Sequence, residues 1–167
     1  ERCARATVRP RRERQRGRTA RPLQRSAAVL RRHPCHSRWV RVDGALSRYW
    51  VGGSGAPLLL VASPLVSARV YRPVARALTG AFTVTLVDLP GAGGASRLRE
   101  PWTFARYAAW LLELVRRLPL AAPVVVAHAA SAPCVVELAR LAPDELGALV
   151  LANPAGPVDP RPSRTGS

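Results

Sequence analysis

From Trp39 onward the chain falls into short apolar blocks whose period switches between strand-like and helix-like. Trp39-Val40-Arg41-Val42 and Leu46-Ser47-Arg48-Tyr49-Trp50-Val51 flank Asp43-Gly44 and read as a hairpin. Asp-Gly suits a two-residue turn because both central residues need positive φ. Gly52-Gly53-Ser54-Gly55 breaks the pattern, and Leu58-Leu59-Leu60-Val61 follows as a continuous apolar run. Such a run is expected of a strand buried on both faces. Val70, Tyr71, Val74, Ala75 and Leu78 then share one helical face, with Arg69, Arg72 and Arg76 off it and Gly80 at its end. Phe82 to Leu89 reads as a strand closed by Pro90-Gly91. Tyr107, Trp110, Leu111, Leu114, Val115 and Leu118 mark the clearest helical stripe, with Thr103 as its N-cap. Val124-Val125-Val126 is a third all-apolar strand. Ser131 to Leu141 reads as a helix with Val135, Leu138 and Ala139 facing inward, and Ala148 to Ala152 as a fourth buried strand.

A hairpin followed by β-α-β-α-β-α-β predicts the α/β class. The sheet is expected to be mostly parallel, with helices on both faces and right-handed crossovers.

The length of 167 residues suits one domain with a tail, and 48% hydrophobic residues suffice for a core. No apolar run approaches the roughly 18–20 residues of a membrane span, so none is expected. The net charge is +16, from 26 basic and 10 acidic residues. It is unevenly spread: residues 1–41 hold 14 Arg and 2 Glu, a net of +12, and the remainder carries +4. The first segment has few large apolar residues before Val29 and no sustained period. Such a composition buries too little surface to offset ordering entropy. We therefore expect a disordered Arg-rich arm over residues 1–38, one domain over 39–156 and a disordered Pro/Arg tail over 157–167.

Arginines neutralise phosphates, so the arm raises the question of nucleic acid. No aromatic lies among residues 1–38, so no stacking platform accompanies the charge. Nucleic acid is accordingly not the expected partner. Basicity carried by Arg alone is also what a GC-rich reading frame produces. His33, Cys35 and His36, with Cys3, lack the regular ligand spacing of a zinc site, and neither metal nor cofactor is expected. Three cysteines are too few for a disulfide framework, and no signal-like apolar segment follows the basic start. A reducing, cytoplasmic setting is expected. A chain that opens at Glu1 and contains no Met is expected to be a processed chain or a fragment.

Three turns follow strands, where open α/β sheets bind ligands. They are Val61-Ala62-Ser63-Pro64, Asp88-Leu89-Pro90-Gly91-Ala92-Gly93-Gly94-Ala95-Ser96 and Val126-Ala127-His128-Ala129-Ala130-Ser131. The second is a poor dinucleotide loop. Its third glycine is replaced by Ser96, and Pro101 delays the next helix, so no helix N-terminus meets a pyrophosphate directly.

Taken together, these turns make residues 39–156 resemble the N-terminal half of an α/β-hydrolase-fold protein of the AB-hydrolase-1 type. Leu58-Leu59-Leu60-Val61-Ala62-Ser63-Pro64 and Tyr71-Arg72-Pro73-Val74-Ala75-Arg76-Ala77-Leu78 are similar to the family's strand, His-Gly turn and first helix. Asp88-Leu89-Pro90-Gly91-Ala92-Gly93 is similar to its Asp-x-Pro-Gly-x-Gly loop. Val126-Ala127-His128-Ala129-Ala130-Ser131 resembles its Gly-His-Ser-x-Gly elbow, and Leu149-Val150-Leu151-Ala152-Asn153-Pro154 its next strand.

The departures from the family bear on function. The resemblance puts Ala129 where the family has its nucleophilic serine. It makes the Ala130 N–H one oxyanion-hole donor and maps the other to Pro64, which has no N–H. Ser131 reads as a helix cap or small residue, with a substitute nucleophile as the alternative. The triad's acid and His should follow the nucleophile, yet after Ala152 the chain offers only Asp159 and no His. Cys134 reads as a buried, inert thiol.

We therefore expect no catalytic residues in this chain: an ester or small-molecule hydrolase by descent that is catalytically silent. The alternatives are a non-catalytic module binding a small hydrophobic ligand or a protein, and a nucleic-acid-associated protein acting through the arm. The last strand, expected to be an open apolar edge, invites self-association.

Overall fold

The computed structural model describes residues 33–155. The expectations for residues 1–32 and for the tail from residue 156 lie outside the described residues.

The hairpin forms as its turn chemistry predicts. Strand β1 (His36–Val42) pairs antiparallel with β2 (Ala45–Gly52), and Asp43 and Gly44 between them take φ of 45° and 76°. β1 begins at His36, three residues earlier than the apolar pattern suggested. Residues 36–38 thus belong to the sheet and not to the arm. Their backbones pair with Val51, Trp50 and Tyr49, and an edge strand needs no apolar side chains to do so. Arg48 lies between two indoles, its guanidinium carbon 5.0 Å from the Trp50 ring centre and 5.8 Å from that of Trp39.

After the hairpin, strands and helices alternate. They are β3 (Ala56–Val61), α1 (Arg72–Leu78), β4 (Phe82–Val87), α2 (Phe104–Arg117), β5 (Val124–His128), α3 (Ala132–Leu141) and β6 (Ala148–Ala152). The six strands form one sheet in the order β1-β2-β4-β3-β5-β6. β4, β3, β5 and β6 run parallel, and β2 joins β4 antiparallel. From β3 the chain goes to β4 on one side, then crosses back to β5 on the other. That reversal creates a crevice at the carboxyl ends of β3 and β5.

Alternation along the central strands sorts the core into two layers. Leu58, Leu60, Val84 and Leu86 pack with Ala68 and Ala75 on the α1 face. Leu59, Val61, Val87, Val125 and Ala127 face the other way, onto α2 and α3. Strands buried on both sides are why these runs read as continuously apolar. The α2 stripe is buried as its period predicts, and the Trp110 Nε1–H donates to the Val42 carbonyl at 3.1 Å. Thr103 caps that helix, its Oγ1 accepting from the Arg106 N–H at 3.2 Å.

Two expectations are corrected. Val70 and Val74 are exposed and do not share a buried face with Ala75. A 3₁₀ turn over Ala68–Tyr71 precedes α1, and its tighter period puts Ala68, not Val70, against the sheet. The apolar run of β6 read as a buried strand, yet four of its five residues are exposed, in line with the open apolar edge expected of the last strand. It is the sheet's edge, paired only with β5 among the described residues, so its apolar run marks a surface that nothing described covers.

Candidate functional site

The third strand-end turn makes a sharp corner. β5 ends at His128, a 3₁₀ turn occupies Ala129–Ser131, and α3 starts at Ala132 with Pro133 in its first turn. Ala129 has φ of 51°, in the left-handed region that disfavours any residue with a Cβ. The neighbours hold it there. The Ser131 hydroxyl accepts the His128 N–H at 3.0 Å and lies within 3.0 Å of the Val61 carbonyl and 2.9 Å of the His128 carbonyl. Ser131 is fully buried, a brace between β3 and the corner and not a hydroxyl presented to solvent. From the other side the Ala155 N–H donates to the Ala129 carbonyl at 3.2 Å.

His128 and Tyr71 meet at the same corner. The Tyr71 hydroxyl is 2.9 Å from His128 Nδ1, and the rings pack edge to face at 5.6 Å. Ala129 and Ala130 are half-buried. In the turn after β3, the Ser63 Oγ accepts the Leu65 N–H at 3.3 Å and the Ser63 carbonyl accepts the Val66 N–H at 3.2 Å. Pro64, between them, contributes no N–H. It lines an open cleft of about 450 Å³ with Gly91, Leu98, Pro101 and Tyr107.

The loop after β4 is tied to itself and to its surroundings. Asp88 is fully buried, its Oδ1 accepting the Ala68 N–H at 2.6 Å and its Oδ2 the Gly94 N–H at 3.0 Å. The Gly91 and Ala92 N–H groups donate to the Ser96 and Leu89 carbonyls at 2.9 Å each, and that of Ala95 to the Ala92 carbonyl at 3.0 Å. The Tyr107 hydroxyl donates to the Pro90 carbonyl at 3.0 Å, and burial pushes its pKa up. The N–H groups of Gly91, Ala92, Gly94 and Ala95 are thus all engaged locally.

Beside the corner, Phe104, Ala132, Pro133, Val136, Leu151 and Pro154 line an apolar cleft of about 420 Å³. Its members come from α2, α3, β6 and the segment after β6, so no local pattern in the sequence announces it. The Asp88 network and the Tyr71–His128 pair were likewise hidden. The signals for Asp88 were its place at the end of an apolar strand and at the head of the Asp-x-Pro-Gly-x-Gly-like loop; neither named its backbone partners. Cys134 is buried in α3, and burial pushes its thiol up to about 11. Among the described residues, no group of three or more His, Cys, Asp or Glu side chains is placed to hold a metal. No described helix is long and apolar enough to cross a membrane. Asp159 lies outside the described residues.

A mostly parallel sheet in this order, with a strained strand-to-helix corner after β5, is a hydrolase-type α/β scaffold. The family profile of the alpha/beta hydrolase fold matches residues 52–165, and the chain belongs to that family. Among solved structures it is similar to Cfl2 from Burkholderia cenocepacia, with 25% identity and a TM-score of 0.70 over 84% of this chain and 48% of that one. It is also similar to an N-formylmaleamic acid deformylase from Pseudomonas putida, with 26% identity and a TM-score of 0.65 over 70% and 46% of the two chains. An epoxide hydrolase from Vigna radiata shares the fold at 21% identity and a TM-score of 0.68, over 77% and 43%. The chain spans less than half the length of each of these structures. No curated protein matches it significantly.

Proposed function

We propose that this chain is a hydrolase-fold scaffold, an ester or small-molecule hydrolase by descent, that carries no hydrolytic chemistry of its own. The observation that supports this is Ala129: the corner keeps the left-handed backbone that would present a nucleophile, with a methyl group in its place. The Ala130 N–H remains as one oxyanion donor, and Pro64 supplies none where the second belongs. Loss of one such donor alone typically lowers the rate by about 10²–10³. The members of a triad act as a unit, so these losses leave no partly efficient enzyme. The test is hydrolysis of p-nitrophenyl acetate by the full chain. Turnover no faster than that of the Ala130→Pro variant is expected. Saturable turnover that this variant abolishes overturns the proposal.

A second reading is favoured by the apolar cleft beside the corner: a non-catalytic module for a small hydrophobic ligand. Its volume of about 420 Å³ lies within the range of small-molecule sites. A fluorescent medium-chain fatty acid should bind saturably, and Val136→Glu should weaken it. Binding unchanged by that substitution counts against the cleft. A reducing, cytoplasmic setting is part of the same reading.

A further inference from the structure

The outer side of α1 carries a feature that the hydrolase-like corner does not use. Arg69, Arg72 and Arg76, with Pro73, line an open concavity of about 540 Å³. Spacings of three and four residues stack these side chains along one surface. No acidic side chain lines the concavity, and none of the three arginines forms an ion pair among the described residues. Like charges at this spacing repel one another.

A second observation points the same way. The Arg72 Nε is buried and has no hydrogen-bond partner. An orphaned buried donor carries a desolvation penalty, and it belongs to a side chain that lines the concavity. The only other such atom among the described residues, the Arg48 Nε, belongs to a guanidinium held between two indoles. Arg72 has no aromatic partner of that kind among the described residues. The fields of Arg76 and Arg72 also reach inward to the Cys35 thiol and lower its pKa, against the larger upward push of burial.

We propose that Arg69, Arg72 and Arg76 form a binding site for a small phosphoryl-bearing anion, a diphosphate or triphosphate group. Guanidinium forks match phosphate oxygens two at a time, and three of them around one concavity suit several adjacent phosphoryl groups. No aromatic lines the concavity, so recognition rests on the phosphates and not on a stacked base.

The test is isothermal titration of the full chain with tripolyphosphate, and in parallel with ATP, at about 0.1 M ionic strength. Saturable one-to-one binding is expected, weakened at least tenfold by Arg72→Gln and by Arg76→Gln. Arg11→Gln/Arg12→Gln in the N-terminal segment should leave it unchanged. Arg76 is exposed, so its substitution keeps the test open should Arg72→Gln not fold, as checked by far-ultraviolet circular dichroism. Equal affinity for tripolyphosphate and ATP means that the polyphosphate alone is recognised, and tighter ATP binding that a nucleotide is the source. Wild-type affinity in both α1 variants overturns the proposal. So does an equal loss on substituting Arg11 and Arg12, or a preference for single-stranded DNA that persists without the α1 arginines.

Discussion

The hydroxyl of Tyr71 lies 2.9 Å from Nδ1 of His128, joining the turn before α1 to the last residue of β5 across 57 positions of sequence. One side of the strained corner is thereby tied to the opposite helical layer, as Ser131 ties the other side to β3. Tyr71→Phe should remove one hydrogen bond and leave the ring packing, costing about 1 kcal/mol. Urea unfolding of both proteins measures this. An unchanged midpoint would mean that solvent replaces the hydroxyl.

Ala129 holds a conformation in which its Cβ is a burden. Ala129→Gly relieves that strain and gives part of the gain back as unfolded-state entropy. The net stabilisation should be about 0.5–1 kcal/mol. A higher thermal midpoint for the glycine variant checks it, and a lower one argues against strain at this corner.

Asp88 accepts backbone N–H groups from two different loops, at Ala68 and Gly94. Asp88→Asn sets an amide N–H₂ against at least one of these donors or leaves it unpaired. The expected loss is about 2–3 kcal/mol, with the turn before α1 and the loop at Gly94 both opening to hydrogen exchange.

Cys134 titrates at about 11 when folded, against an ordinary value of 9.0. Above pH 9 the unfolded chain therefore binds fewer protons at this site than the folded one, and stability must fall as pH rises. Tyr107, also raised by burial, acts in the same direction from its ordinary 10.0. Stability should be insensitive to these two groups below about pH 8 and should decline from pH 9 to 11. Denaturant midpoints across that range test the sign, and Cys134→Ala should flatten the first part of the decline.

β6 offers five uncharged residues along an edge that no described segment covers. Such an edge is a template for pairing with another strand. We expect concentration-dependent self-association that Val150→Lys reduces, because a charge on the exposed edge opposes pairing. Sedimentation velocity that shows one monomeric species at all concentrations would exclude it.

Most of the fold was legible because burial is periodic. The α2 stripe and the all-apolar strands record which side of each element meets the core, and that physics acts within a few residues. The pattern failed where periodicity is ambiguous. Val70 and Val74 fit a helical face, but a 3₁₀ turn changes the phase ahead of α1. β6 reads as buried although it is an edge, because an apolar run reports that a surface needs covering and not that it is covered. The backbone pairing of His36–Arg38 left no apolar trace at all.

By itself, then, the sequence determined the α/β class, the order of elements and the absence of a hydroxyl at Ala129. Tertiary structure alone decided the left-handed backbone at that residue, the burial of the Ser131 hydroxyl and the two backbone partners of Asp88. Those features depend on atoms brought together by the pairing of β5 beside β3 and by helices packed on opposite faces. A hydrogen bond between residues 57 or 70 positions apart has no local period to announce it.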